Sequence, residues 1–234
     1  MEGTLTERLN TLFESHLGPN FFPDGVIDEE RFLSANPKIL YLLKDVNALE
    51  TEQWDLRDAG RYFARKLKEK GASYPTITKM ATISHYILEG FPDYASEQWI
   101  PGEDLAESLL SIAIVNLKKT AGKSSTSDEK IKPHAEKNFK MWKSEIDIIQ
   151  PDIALCGGTY YLVKDLFIKN GVIKESDLEV TPNGMHFFRY NNSALVDVPH
   201  PNARYPYSHV YSYIKLGLNH ILSKSKNKKY KVCY

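Results

Sequence analysis

Four short apolar runs punctuate the chain: KILYLL at 38–43, SIAIV at 111–115, IALC at 153–156 and SALVDV at 193–198. Each gives way at once to polar or turn residues. Their apolar character is continuous rather than alternating, which marks strands buried on both faces and so a parallel sheet covered by helices on each side. Between them the spacing turns helical. RYFARKLKEKG follows the first run, HAEKNFKMWKSEIDII precedes the third, YYLVKDLFIKNG follows the third, and YSHVYSYIKLGLNHIL follows the fourth. The long gap between the first two runs also needs helices at TITKMATISHYILEG (76–90) and EDLAESLL (103–110). The expected fold is therefore α/β, a three-layer sandwich with a central four-stranded parallel sheet flanked by helices.

Ahead of the first run, residues 4–17 place Leu5, Leu9, Leu12 and Phe13 on one helical face, with Thr4 and Glu7 spaced as a capping box. Residues 1–35 are expected to form a helical lid on a single domain spanning 1–234, a length that one α/β core accommodates. Residues 223–234 are expected as a basic tail, and KSSTSDEK at 123–130 as a polar loop.

Composition changes this picture little. Hydrophobic content of 42% with 26% charged residues is that of an ordinary globular protein. Thirty basic side chains balance thirty acidic ones, so no global field recruits nucleic acid or membrane and any polyanion site must be local. Two stretches are locally basic: residues 117–140, with seven lysines against three acids, and the last eleven residues, with five lysines. A solvated loop and a solvated tail are the plain readings of both. Two cysteines, Cys156 and Cys233, make neither a disulfide framework nor a metal or iron–sulfur quartet, so no cofactor is expected. No apolar run reaches the roughly 18 residues of a membrane span, and the expected setting is the cytoplasm, with no membrane partner.

Candidate chemistry gathers where the strands end, since ligands of open α/β sheets bind outside the carboxyl ends of the strands. The first run leads into KDVN (Lys44 to Asn47), the second into NLKKTAGK (Asn116 to Lys123), the third into GGT (Gly157 to Thr159), and the fourth into PHPNARYP (Pro199 to Pro206). Each has a plain structural alternative: Asp45 and Asn116 as turn or capping residues, Gly157 and Gly158 as a tight turn, and His200 as a surface histidine held between prolines.

Taken in order, LKDVN, IVNLKKT, LCGGT and VPHPNARY resemble the strand-end motifs of the uracil-DNA glycosylase superfamily, over roughly residues 36–215. The resemblance implies that fold and a monomeric enzyme that hydrolyses the N-glycosidic bond of a nucleotide flipped out of DNA. Carried over, Asp45 would orient the attacking water and stabilise the cationic sugar, and His200 would donate to the departing base at O2. Asn116 would read the pyrimidine edge, Gly157 and Asn202 would lie against the substrate, and Tyr62 or Phe63 would stack on the base or simply fill the core. Arg204 would wedge into the duplex or cap the following helix, and Lys118, Lys119 and Lys123 would hold the phosphates. The residue types suit the reaction, because a carboxylate near an oxocarbenium-like sugar and a fixed donor near the leaving base both act on charge that develops only in the transition state.

Two departures shape the expected substrate. Val46 and Asn47 stand where the family has proline and, in its uracil-specific enzymes, a bulky aromatic that excludes the 5-methyl of thymine, and Asn202 stands where serine is usual. A small polar Asn47 leaves room beside C5, so a 5-substituted pyrimidine is expected, such as the modified cytosines of phage DNA, with an antiviral role. The alternatives are uracil removal in repair and a nucleic-acid binder that has lost the chemistry. A nucleotide hydrolase is disfavoured, as the chain has no Walker-type phosphate loop.

Overall fold

The computed structural model describes the chain except residues 1–2, 15, 17, 19, 50, 72–73, 93–99, 123–125 and 230–234, with residues 224–229 described by backbone alone. The elements run α1 (Leu5–Glu14), β1 (Gly25–Val26), α2 (Glu29–Ser34), β2 (Ile39–Leu43), β3 (Val46–Asn47), α3 (Leu56–Lys70), α4 (Pro75–Leu88), α5 (Gly102–Leu110), β4 (Ile112–Asn116), β5 (Ala121–Gly122), α6 (Asp128–Lys137), α7 (Phe139–Ile149), β6 (Ile153–Gly157), α8 (Tyr160–Lys169), β7 (Leu178–Val180), β8 (His186–Tyr190), β9 (Ser193–Val198) and α9 (Tyr207–Lys229).

The four apolar runs are β2, β4, β6 and β9, adjacent and mutually parallel in the order β4-β2-β6-β9. The sheet they belong to is larger than expected and mixed. It has seven strands, with antiparallel β1 beside β4 at one edge and the antiparallel β8 and β7 beyond β9 at the other. β8 and β9 form a hairpin whose tight connection turns through Asn191 at φ 52°, a conformation asparagine tolerates well. A separate two-stranded parallel pair joins β3 to β5.

Every residue of β2, β4 and β6 is buried, and each sheet face carries its own core. On one face Ile39, Tyr41, Ile114 and Leu155 pack under α3, α4, α5 and α9; on the other Leu40, Leu42, Val115 and Ala154 pack under α1, α7 and α8. The fold is thus a helix–sheet–helix sandwich. Tyr41 keeps its hydroxyl satisfied by donating to the Met80 carbonyl, with Ser84 Oγ 3.2 Å away.

α1 does more than cover the sheet. Leu9 and Phe13 are buried in the second core, and side chains of this size contribute about 1.5–3 kcal/mol each when fully removed from water. The stretch expected as one helix before β6 is two, α6 and α7, divided at Asn138, whose side-chain amide reaches the Leu117 carbonyl. Part of the expected basic tail is instead helix, since α9 continues to Lys229. Among the described residues no helix is long and apolar enough to cross a membrane.

Candidate functional site

Backbone pairing stitches the carboxyl ends of the parallel strands into one rim. Leu117 and Lys118 donate to the carbonyls of Leu43 and Lys44, Gly158 donates to Val198, and the buried Thr159 hydroxyl donates to the Leu42 carbonyl at 2.7 Å. The turn after β6 needs its glycines. Gly158 has φ 63°, and a side chain on Gly157 would lie 2.8 Å from Leu43 and 3.1 Å from Pro201. The absence of side chains there lets the loop after β9 fold down over β6, seating His200 against the Gly157–Gly158 turn.

His200 is held in a defined state. Its Nδ1 accepts a hydrogen bond from the Asn202 backbone N–H at 3.0 Å, so in the neutral ring the proton sits on Nε2. Burial, with Lys44 and Lys79 nearby, pushes its pKa below the ordinary value of 6.5, against the opposing charge of Asp45. The result is a neutral imidazole with a fixed Nε2–H donor. Lys79 braces the loop by donating to the Ala203 carbonyl at 2.7 Å.

Asp45 lies in the turn between β2 and β3. The Thr126 hydroxyl donates to its Oδ2 at 2.8 Å, and the carboxyl packs directly on the backbone of Gly122. A Cβ at Gly122 would fall 2.0 Å from Oδ2 and 2.8 Å from the Asp45 Cβ, so even alanine there must displace the acid. Gly122→Ala is expected to lower any Asp45-dependent turnover at least about tenfold while thermal unfolding stays near wild type, because near-ångström misplacement of a catalytic group is costly. Parallel measurement of rate and melting temperature checks this. His134 on α6 is a further imidazole within reach of Asp45; burial, Lys118 and Lys137 lower its pKa.

The remaining expected residues divide. Gly157 and His200 are in contact, and Asp45 acts electrostatically on the His200 ring. Asn202 and Arg204 are exposed on the His200 loop, and Asn47 is exposed on β3. Tyr62 and Phe63 sit on α3 in an edge-to-face cluster with Tyr74; Phe63 packs against the core, whereas Tyr62 is 43% exposed and outside it. Lys118 is half-buried with its ammonium on the Ala121 carbonyl. Lys123 lies outside the described residues.

Two expectations are corrected. Asn116 does not present an open amide edge: it is 2% exposed, its backbone N–H donates to Asp24 Oδ2 at 2.7 Å, and its side-chain amide donates to the same oxygen at 3.4 Å. Lys119 is no phosphate contact. It is 2% exposed and its ammonium bridges the wholly buried Asp24 and Glu145 at 2.7 and 2.5 Å. The chain bends after β4, leaving Lys118 at the rim while Lys119 enters the core with its ammonium over the Phe13 ring.

Beside His200 opens a cleft of about 510 Å³, lined also by Gly158, Tyr160, Tyr161, Asp197, Tyr205 and Tyr213. The acid interrupting the apolar run SALVDV and the two tyrosines directly after GGT were the legible signs of it. Among the described residues no group of three or more His, Cys, Asp or Glu side chains could hold a metal ion. No protein-family model matches the chain, and a search of curated proteins finds no match.

Proposed function

We propose that the protein is a DNA glycosylase of the uracil-DNA glycosylase type, hydrolysing the N-glycosidic bond of a flipped-out pyrimidine and leaving an abasic site. The observation that carries the reading is the imidazole at the end of β9, with its proton placed on Nε2 by Asn202 and with Asp45 within electrostatic reach across the Gly157–Gly158 turn. In this reading His200 donates to the base oxygen as negative charge develops there. Asp45 stabilises the oxocarbenium-like sugar and orients the water that attacks it. The exposed Arg204, with Lys118 at the rim, meets the DNA backbone. Asn47 leaves space beside C5 of the base, so the preferred base is a 5-substituted pyrimidine such as a modified cytosine, which suits defence against phage DNA.

A second reading, a nucleic-acid binder without chemistry, is favoured by one observation: Asp24 already engages the amide of Asn116. Oligonucleotides carrying uracil, thymine or 5-hydroxymethylcytosine separate the possibilities. After incubation and alkaline cleavage of abasic sites, nicking is expected at the 5-substituted cytosine above uracil, with the free base detected by mass spectrometry. Preferential nicking at uracil would overturn the substrate assignment, and binding without release of any base would establish the silent binder.

A further inference from the structure

The cleft between the β6 turn, β9 and α9 holds a second chemistry that the proposed reaction does not use. Asp197 lines it from β9 and is half-buried, yet its carboxyl takes part in no hydrogen bond or ion pair among the described residues. Its one opposing charge is the more distant His186. A carboxylate drawn from water without a donor is costly, and this one faces open space large enough for a ligand. Around it the walls are aromatic. Tyr160 and Tyr161 meet edge to face at 5.5 Å, and Tyr161, which is 55% exposed, also stands 6.1 Å from the His186 ring. Tyr213 and His209 of α9 face them, and Tyr205, 58% exposed, closes the side next to His200.

Flat aromatic faces around one hydrogen-bond acceptor match the form of a nucleobase that stacks on a tyrosine and offers an amine. Phosphate is excluded as the main ligand, since the charged group facing the space is itself an anion. We propose that this cleft is a subsite for an unpaired base bearing an exocyclic amine, such as cytosine or adenine, stacked on Tyr161 with that amine donated to Asp197. It rests on the proposed function only in taking its base from DNA, and it makes the protein a reader of the single strand beside the reacting nucleotide. Thymine, which has a carbonyl where cytosine and adenine carry the amine, offers only its N3–H between two carbonyls and should bind more weakly.

Fluorescence anisotropy with short unmodified oligo-dC, oligo-dA and oligo-dT tests this without any base release. The wild-type chain is expected to bind dC and dA about tenfold more tightly than dT, the selectivity of one good base contact. Asp197→Leu should bring that ratio towards one, Asp197→Asn, which keeps an acceptor oxygen, should retain part of it, and Tyr161→Ala should weaken all three by about five- to a hundredfold. The ratio does not depend on the folded fraction of a variant, so partial unfolding cannot imitate the result. Equal affinity of the wild-type chain for the three ligands, a ratio unchanged by Asp197→Leu, or no binding at all would overturn the subsite. Selective binding that disappears in Asp197→Leu, with no base released from any substrate, would sustain the subsite while ending the glycosylase reading. Base release without selectivity would do the reverse.

Discussion

Replacing His200 with alanine is expected to slow base release by about 100- to 1,000-fold, the usual cost of removing one preorganised donor to developing negative charge, while DNA affinity and melting temperature stay close to wild type. His200 lies in a loop, half-buried, and the one described hydrogen bond of its side chain is local, from Asn202, so little of the fold depends on the ring. What is lost is the Nε2–H donor. Because burial and the neighbouring lysines hold the imidazole pKa below 6.5, the neutral donor persists as the pH falls past the ordinary histidine range. The acid limb of the wild-type rate profile should accordingly lie below pH 6.5. Single-turnover rates on a preferred substrate across pH measure both effects. A His200→Ala rate within a few-fold of wild type would remove the imidazole from the mechanism.

The second large effect is on stability. Lys119→Ala is expected to destabilise the fold by about 3–5 kcal/mol, read from urea or thermal unfolding, because it removes the ammonium that bonds the buried Asp24 and Glu145 and leaves the Asp24 carboxyl without its cation. Both carboxyls are fully buried, and one ammonium cannot neutralise two charges. Burial, with the Asp24 charge second, pushes the Glu145 pKa up from 4.5 to about 8, and its Oε1 has no hydrogen-bond partner. Near neutral pH, Glu145 therefore holds a proton in the native state that the unfolded chain has released. Its contribution to stability is whole below about 4.5 and is lost as the pH rises through about 8. Unfolding free energy should fall with rising pH across that window, and Glu145→Gln, which cannot ionise, should flatten the slope. A wild-type profile that rises with pH over the same window would show that Glu145 is ionised.

The strands were legible because their burial is local information: a segment covered on both faces must be apolar at every position, and KILYLL, SIAIV, IALC and SALVDV are apolar at nearly all of theirs. The edge strands were not. HFFRY at 186–190 is as short as a helical turn's worth of apolar residues, and β1 has two residues, so neither carries a period of its own. Their pairing depends on β9 and β4 already being in place. Likewise, Gly122 gave no sign that it makes room for Asp45, because that contact joins β5 to the turn after β2.

By itself the amino-acid order determined the α/β class, the four parallel strands and the placement of Asp45, Gly157 and His200 at their carboxyl ends, since each follows from local hydrophobic patterning and the rule that parallel strands end together. Tertiary structure alone decided which polar side chains meet water. Lys118 and Lys119 are indistinguishable as neighbours, but Asp24 and Glu145, distant in the chain, draw the second into the core. Asp197 reads as one acid in an apolar run until β6, α8 and α9 surround it with tyrosines. Burial and charge pairing sum over contacts made by the whole fold, and no short window of residues contains them.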